Sequence, residues 1–155
     1  MKRHASLHPL SRDHHHGLVE ARKLSLAEND QRSLAVAAAR FIQFWERELE
    51  QHFQQEEDVL LPMVAKYLVA DADKVSATLR QHAEIRRLVT ALNAASQTDY
   101  NTILLAQLSA ALREHIRFEE NELFPLIEQR VPEDVLWQMS VQLTSRGMCE
   151  LPPVP

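Results

Sequence analysis

The chain has 155 residues, a formal charge of −5 and a single cysteine, Cys149. That length suits one domain with a core large enough to do without cross-links. One cysteine excludes, within one chain, a disulfide framework, a thiolate zinc finger and a cysteine-ligated iron–sulfur cluster.

Only Gly17 and Gly147 are glycines, so no phosphate-cradling loop can be written. Acids and bases are interspersed with a net negative balance, which argues against a nucleic-acid surface. No apolar run approaches the roughly 20 residues that a membrane span requires. Met1-Lys2-Arg3-His4 is followed by no apolar signal core. The expectation is a cytoplasmic protein with no nucleic-acid or membrane partner, and with homo-oligomerisation left open.

Almost every segment reads as helix, rich in Ala, Leu, Glu, Gln and Arg and without strand alternation. The first helix is expected from Pro9 or Ser11 to Glu28-Asn29-Asp30. A second opens at Asp30 or Ser33 and runs to about Leu68. Asp71 to Asp73 opens a third, which ends near Asn93. Ala95 to Asp99 forms a loop into a fourth, from about 101 to 129. Pro132-Glu133-Asp134 places proline and acids in the first turn of a short fifth helix, ending near Ser145. The domain is expected to cover residues 1–147, with a flexible, proline-rich tail at 148–155. Four long helices with short connections favour an all-α, antiparallel up-and-down four-helix bundle with a short extra C-terminal helix.

The second and fourth helices carry one motif twice. His52, Glu56-Glu57, Leu60-Leu61-Pro62 is matched by His115, Glu119-Glu120, Leu123-Phe124-Pro125, always 63 residues apart. Such a match points to an internal repeat of helix pairs. Residues four apart share a helical face, so each histidine and its first glutamate can reach one point. Their place in the apolar stripes decides which point that is. On the second helix the stripe runs Ile42, Trp45, Leu49, His52, Glu56, Leu60, Met63; on the fourth, Leu108, Leu112, His115, Glu119, Leu123, Leu126. Histidine and glutamate stand where core residues belong.

An ordinary surface His–Glu pair is worth only ~0.2–0.5 kcal/mol, and one alone would say little among 15 glutamates and eight histidines. Two in matching apolar context say more. A buried carboxylate without a partner costs several kcal/mol, and a metal ion supplies the missing positive charge. His82 lies on the third helix's stripe of Val75, Leu79, Val89 and Leu92. On the first helix, His14 is nearest to the face of Leu10, Leu18 and Ala21, while His15 aligns with Leu18 three positions on. His8 and His16 are expected in solvent. Four imidazoles and two carboxylates exceed what one tetrahedral zinc takes. They suit two metals bridged by carboxylates, and iron or manganese better than calcium or magnesium.

These residues resemble the hemerythrin-like, or HHE cation-binding, family over roughly residues 8 to 129. The likeness is carried by Asp13-His14, the two His-x-x-x-Glu motifs with their following Leu-Leu-Pro and Leu-Phe-Pro, and Gln81-His82. The resemblance implies two iron ions, oxo- or hydroxo-bridged, with manganese or zinc as substitutes, and an open face that meets dioxygen, nitric oxide or peroxide. It implies ligand roles for His14 (or His15), His52, Glu56, His82, His115 and Glu119, with Glu57 and Glu120 as alternatives to the glutamates before them. Oxygen carriers of this family have a further histidine where Arg86 stands, and their last carboxylate lies five residues after its histidine, whereas here both the fourth and the fifth residues after His115 are glutamates, Glu119 and Glu120. A site one imidazole poorer favours redox turnover or metal release over a stable oxygen adduct. Arg86 is expected either to reach solvent or to pair at the rim with Glu57, Glu120 or Glu84, where it would favour anionic ligands. No acid–base or nucleophile constellation exists apart from the ligands, so a hydrolase or transferase is not expected. The competing readings are an iron-handling or iron-sensing domain and a metal-free helical interaction module.

Overall fold

The computed structural model describes residues 3–95 and 100–148, with side chains described as far as 145. Of the tail expected at 148–155, Met148 instead ends the last helix, and the rest, like most of the loop at 95–99, lies outside the described residues. Among the described residues every regular element is helical.

Four main helices and a fifth follow in chain order. Helix α1 spans His8–Ser25, after a short 3-10 turn at Ala5–Leu7. Helix α2 runs over 31–64 and is composite: Gln31–Phe44, a π-helical turn at Trp45–Leu49, Glu50–Gln55, a second π-helical turn at Glu56–Leu60, then Leu61–Val64. Two 3-10 turns lead to α3, Ala72–Ala94. Helix α4 runs over 102–130, with a π-helical turn at Glu119–Leu123 between Thr102–Phe118 and Phe124–Arg130. Helix α5 spans Glu133–Met148.

The boundaries follow from local chemistry. The Asp30 carboxylate accepts the Ser33 N–H at 3.0 Å, and the Asn101 side-chain oxygen accepts the Leu104 N–H at 2.9 Å. Each satisfies a donor that a helix start leaves unpaired. Pro9 occupies the first turn of α1, where its missing N–H costs nothing. Glu133 and Asp134 complement the positive end of the α5 dipole.

Two of the π-helical turns begin at the two motif glutamates, and the motif prolines account for them. A proline inside a helix removes one hydrogen bond and crowds the carbonyl four residues back. Ahead of Pro62 the Leu61 N–H bonds to the Glu56 carbonyl, and ahead of Pro125 the Phe124 N–H bonds to the Glu119 carbonyl. The wider turn absorbs the ring and sets the backbone just where each glutamate projects.

The apolar core falls into two parts. One gathers Ala21, Leu24, Phe41, Leu49, Phe53, Ile85, Leu92, Leu112 and Ile116 among others. The other gathers Leu10, Leu60, Val64, Leu123, Phe124 and Ile127 with Leu136, Met139 and Leu143 of α5. In sequence, His14, Glu56 and Glu119 fall between the two sets, while His52 and His115 are flanked by residues of the first set and His82 lies between Val75, packed on the second, and Ile85 of the first. No helix among the described residues is long and apolar enough to cross a membrane.

Candidate metal centre

Each main helix sends side chains into one buried layer: His14 from α1, His52 and Glu56 from α2, His82 from α3, His115 and Glu119 from α4. All six are at most 3% exposed. The four Nε2 atoms point toward the two carboxylates. Nε2 of His52 and of His82 lie 3.3 and 3.2 Å from Oε1 and Oε2 of Glu56. Nε2 of His14 and of His115 lie 3.0 and 3.4 Å from Oε2 of Glu119. Yet none of these nitrogens, and none of the four carboxylate oxygens, has a protein partner in hydrogen-bond geometry. Eight buried donor atoms thus converge without satisfying one another.

They divide into two groups whose atoms lie within 4.8 Å of one another: His14, His52, Glu56 and Glu119, and then Glu56, His82, His115 and Glu119. Both groups contain both glutamates. Buried polar atoms left unpaired are costly, and bound metal would remove that cost. The donor set fits metal ions: neutral imidazoles can offer lone pairs, and two carboxylates supply negative charge.

The outer nitrogens are tied back to the scaffold. Nδ1 of His14 meets Glu120 Oε1 at 2.6 Å, and Nδ1 of His82 meets Glu57 Oε1 at 2.8 Å. Nδ1 of His52 meets Asp13 Oδ2 at 3.4 Å, and Nδ1 of His115 meets Gln81 Oε1 at 3.1 Å. An acceptor at Nδ1 keeps the proton there and turns the Nε2 lone pair inward. Aromatic rings hold two of the imidazoles: Phe53 stacks on His82 at 3.8 Å between centroids, and Phe124 on His14 at 5.3 Å.

Burial and close charges shift the acidities within the layer. Burial drives His14, His52 and His82 down, but the adjoining carboxylates more than offset it; His52 is raised to about 9 and the other two also lie above the ordinary value. Burial and repulsion from protonated His82 hold His115 well below it. Burial resists ionisation of Glu56, yet the His52 charge and contacts from His14, His52 and His82 keep it well below the usual range. Glu119 is pushed up to about 7 by burial and by the neighbouring Glu56 charge. Two facing carboxylates that titrate apart are what like charge in a dry site produces.

Of the residues expected at the site, His14, His52, Glu56, His82, His115 and Glu119 come together. His15 does not: it is exposed, as is His16. The case for His15 leaned on Leu18, which is 37% exposed, whereas Gly17 is buried. The inward face of α1 is therefore Leu10, His14, Gly17, Ala21 and Leu24. Leu79, placed on the α3 stripe from sequence, is 45% exposed, and Thr78 and Ile85 are buried instead. Glu57 and Glu120 lie outside both groups, each gripping a histidine of the adjoining helix. Sequence reasoning missed that role, and the roles of Asp13 and Gln81. The signal available was position: a residue one step beyond an inward side chain turns about 100° towards the neighbouring helix.

A family model for the hemerythrin HHE cation-binding domain matches residues 7–127. The chain belongs to the hemerythrin HHE cation-binding family. Comparison with curated proteins gave no match, and neither did comparison with solved structures. The hemerythrin match spans all six inward residues and both prolines of the repeated motif, so family and geometry point to the same buried layer. Arg86, the departure from the oxygen carriers of this family, is turned aside. Its Nη1 donates to Glu57 at 2.6 Å and its Nη2 to Glu50 at 3.2 Å.

Proposed function

We propose that this hemerythrin-family chain holds two iron ions in its core and uses them to react with or sense dioxygen, nitric oxide or peroxide. One observation carries the reading. Eight inward donor atoms on six buried side chains lack partners, and they form two groups that share both carboxylates.

His14 and His52 would serve one position, His82 and His115 the other, with Glu56 and Glu119 common to both. Two imidazoles and shared carboxylates leave room in the coordination of a metal that takes more than four ligands, which favours iron or manganese over zinc. Iron, when bound, supplies the electron change and the place for a small ligand. The protein's own part is to orient the imidazoles through Asp13, Glu57, Gln81 and Glu120, and to exclude bulk water with Phe53 and Phe124. The inward side chains are imidazoles and carboxylates, the donors of a metal site, which favours redox or ligand binding over hydrolysis or group transfer. An antiparallel up-and-down arrangement is supported by the order of the two core parts, which reverses from each main helix to the next. The single cysteine accords with a reducing cytoplasm.

Loading with iron(II) under argon, followed by separate stopped-flow mixing with dioxygen, nitric oxide and peroxide, tests the proposal. New iron-centred absorption with at least one of them, absent from Glu56→Gln, is expected. Two bound irons that respond to none of the three would leave iron handling as the better account. Failure to bind iron at all would favour the metal-free module.

A further inference from the structure

We infer that the two metal positions are unequal, and that the one served by His82 and His115 holds its metal more weakly and exchanges it first. This rests on the two-iron reading above and concerns residues outside the ligand set.

An imidazole whose outer N–H is bonded to a carboxylate is a better donor to a metal than one bonded to a neutral amide. Asp13-His14 and Gln81-His82 take the same place in the two helix pairs. Asp13 reaches His52 with a carboxylate at 3.4 Å, whereas Gln81 reaches His115 with an amide oxygen at 3.1 Å. The Asp13 contact is longer, but its charge also acts on the ring through space. His52 is thus backed by an anion and His115 is not.

The other two histidines differ in the same sense. Glu120 divides its work: Oε1 accepts from His14 and Oε2 accepts from Arg3 at 2.8 Å. Glu57 offers one oxygen, Oε1, to both His82 at 2.8 Å and Arg86 at 2.6 Å. A guanidinium on the very oxygen that faces His82 draws off the charge that would strengthen that ring. Both imidazoles of the second position are therefore poorer donors than their counterparts.

Exposure does not rank the two positions, since Gln81 and Asp13 are both half-buried; the inequality rests on the outer partners alone.

Protein loaded with two iron(II) ions is mixed anaerobically with excess bipyridyl chelator, and release is followed optically. Wild type should release iron in two equal phases separated by about tenfold or more, the scale on which outer partners alter metal affinity. Gln81→Glu should slow the fast phase alone, and Asp13→Asn should quicken the slow phase alone. In Mössbauer spectra each variant should shift a different one of two iron signals, which general loosening of the fold would not do. A single release phase, or both variants acting on the same phase, overturns the inference while leaving two irons in place. Should Gln81→Glu fail to fold, Asp13→Asn decides: quickening of the fast phase, or no change, counts against it. If wild type never takes up two irons, the underlying reading fails instead.

Discussion

Arg86 donates to the same oxygen of Glu57 that faces His82 Nδ1, at 2.6 and 2.8 Å respectively. Its guanidinium sits 5.6 Å from the Phe53 ring centroid, and Phe53 in turn stacks on His82. Glu50 takes the rest of its hydrogen bonds. The charge of Arg86 is thus matched by two carboxylates behind the histidine, which removes the ground for expecting it to attract anions into the site. Arg86→Gln should leave iron stoichiometry and azide affinity as in wild type, with a stability loss of about 1 kcal/mol or less for these half-exposed pairs. A marked drop in azide affinity would show that the charge acts inside the cavity.

Glu56→Gln and Glu119→Gln should each keep the helical circular dichroism and lose metal, because each removes a negative charge common to both positions. Glu57→Gln and Glu120→Gln should retain two irons at about 10–100-fold lower affinity. Metal analysis after anaerobic dialysis separates these outcomes. Two irons at wild-type affinity in Glu56→Gln or Glu119→Gln would move the ligand role to the neighbouring glutamate.

The first helix offers a cleaner contrast. His15→Ala alters an exposed ring and should leave metal binding unchanged, whereas His14→Ala should remove one imidazole and reduce iron to about one per chain or fewer. Plasma emission analysis of both variants suffices. Equal losses in the two would mean that α1 is rotated from the orientation described.

Stability should depend on pH with opposite signs in the two states. In metal-free protein His52 is raised from 6.5 to about 9, so the stability it contributes is full below pH 6.5 and is lost as pH rises through 9. Glu119 is raised from 4.5 to about 7, and its contribution likewise falls as pH rises between those values. Metal competes with these protons, so iron binding strengthens over the same range. Melting curves from pH 6 to 9 should show a growing gap between loaded and metal-free protein. At free metal about 100-fold above its dissociation constant the added stability is about 2.7 kcal/mol. Parallel curves would mean that the histidines do not lose protons to the metal.

Much of this was legible in the sequence because the repeat is written in residues that have few other reasons to lie on an apolar stripe. His52, Glu56, His115 and Glu119 were readable from i,i+4 spacing repeated on two apolar stripes, and helix starts from Asp30, Pro9 and Pro132. What periodicity could not settle was rotation. On α1, adjacent histidines differ by about 100°, and the deciding residue was Gly17: a Cβ there would lie 2.9 Å from Ile116 Cδ1 of α4. A glycine on a helix face marks where a neighbour comes close, and His14 shares that face. The π-helical turns shift the phase after Glu56 and Glu119, so a stripe drawn at a constant 3.6 residues drifts beyond them. The outer partners were hidden because they act between helices, and one sequence gives no register between helices.

The proposed function requires two irons that share Glu56 and Glu119. Protein loaded with isotope-enriched iron, oxidised and examined by Mössbauer spectroscopy in a strong applied field at low temperature, tests it most directly. Two irons per chain with a diamagnetic ground state, as expected of an antiferromagnetically coupled ferric pair, is the predicted result. One iron per chain, or two that behave as isolated paramagnetic ions, would contradict it.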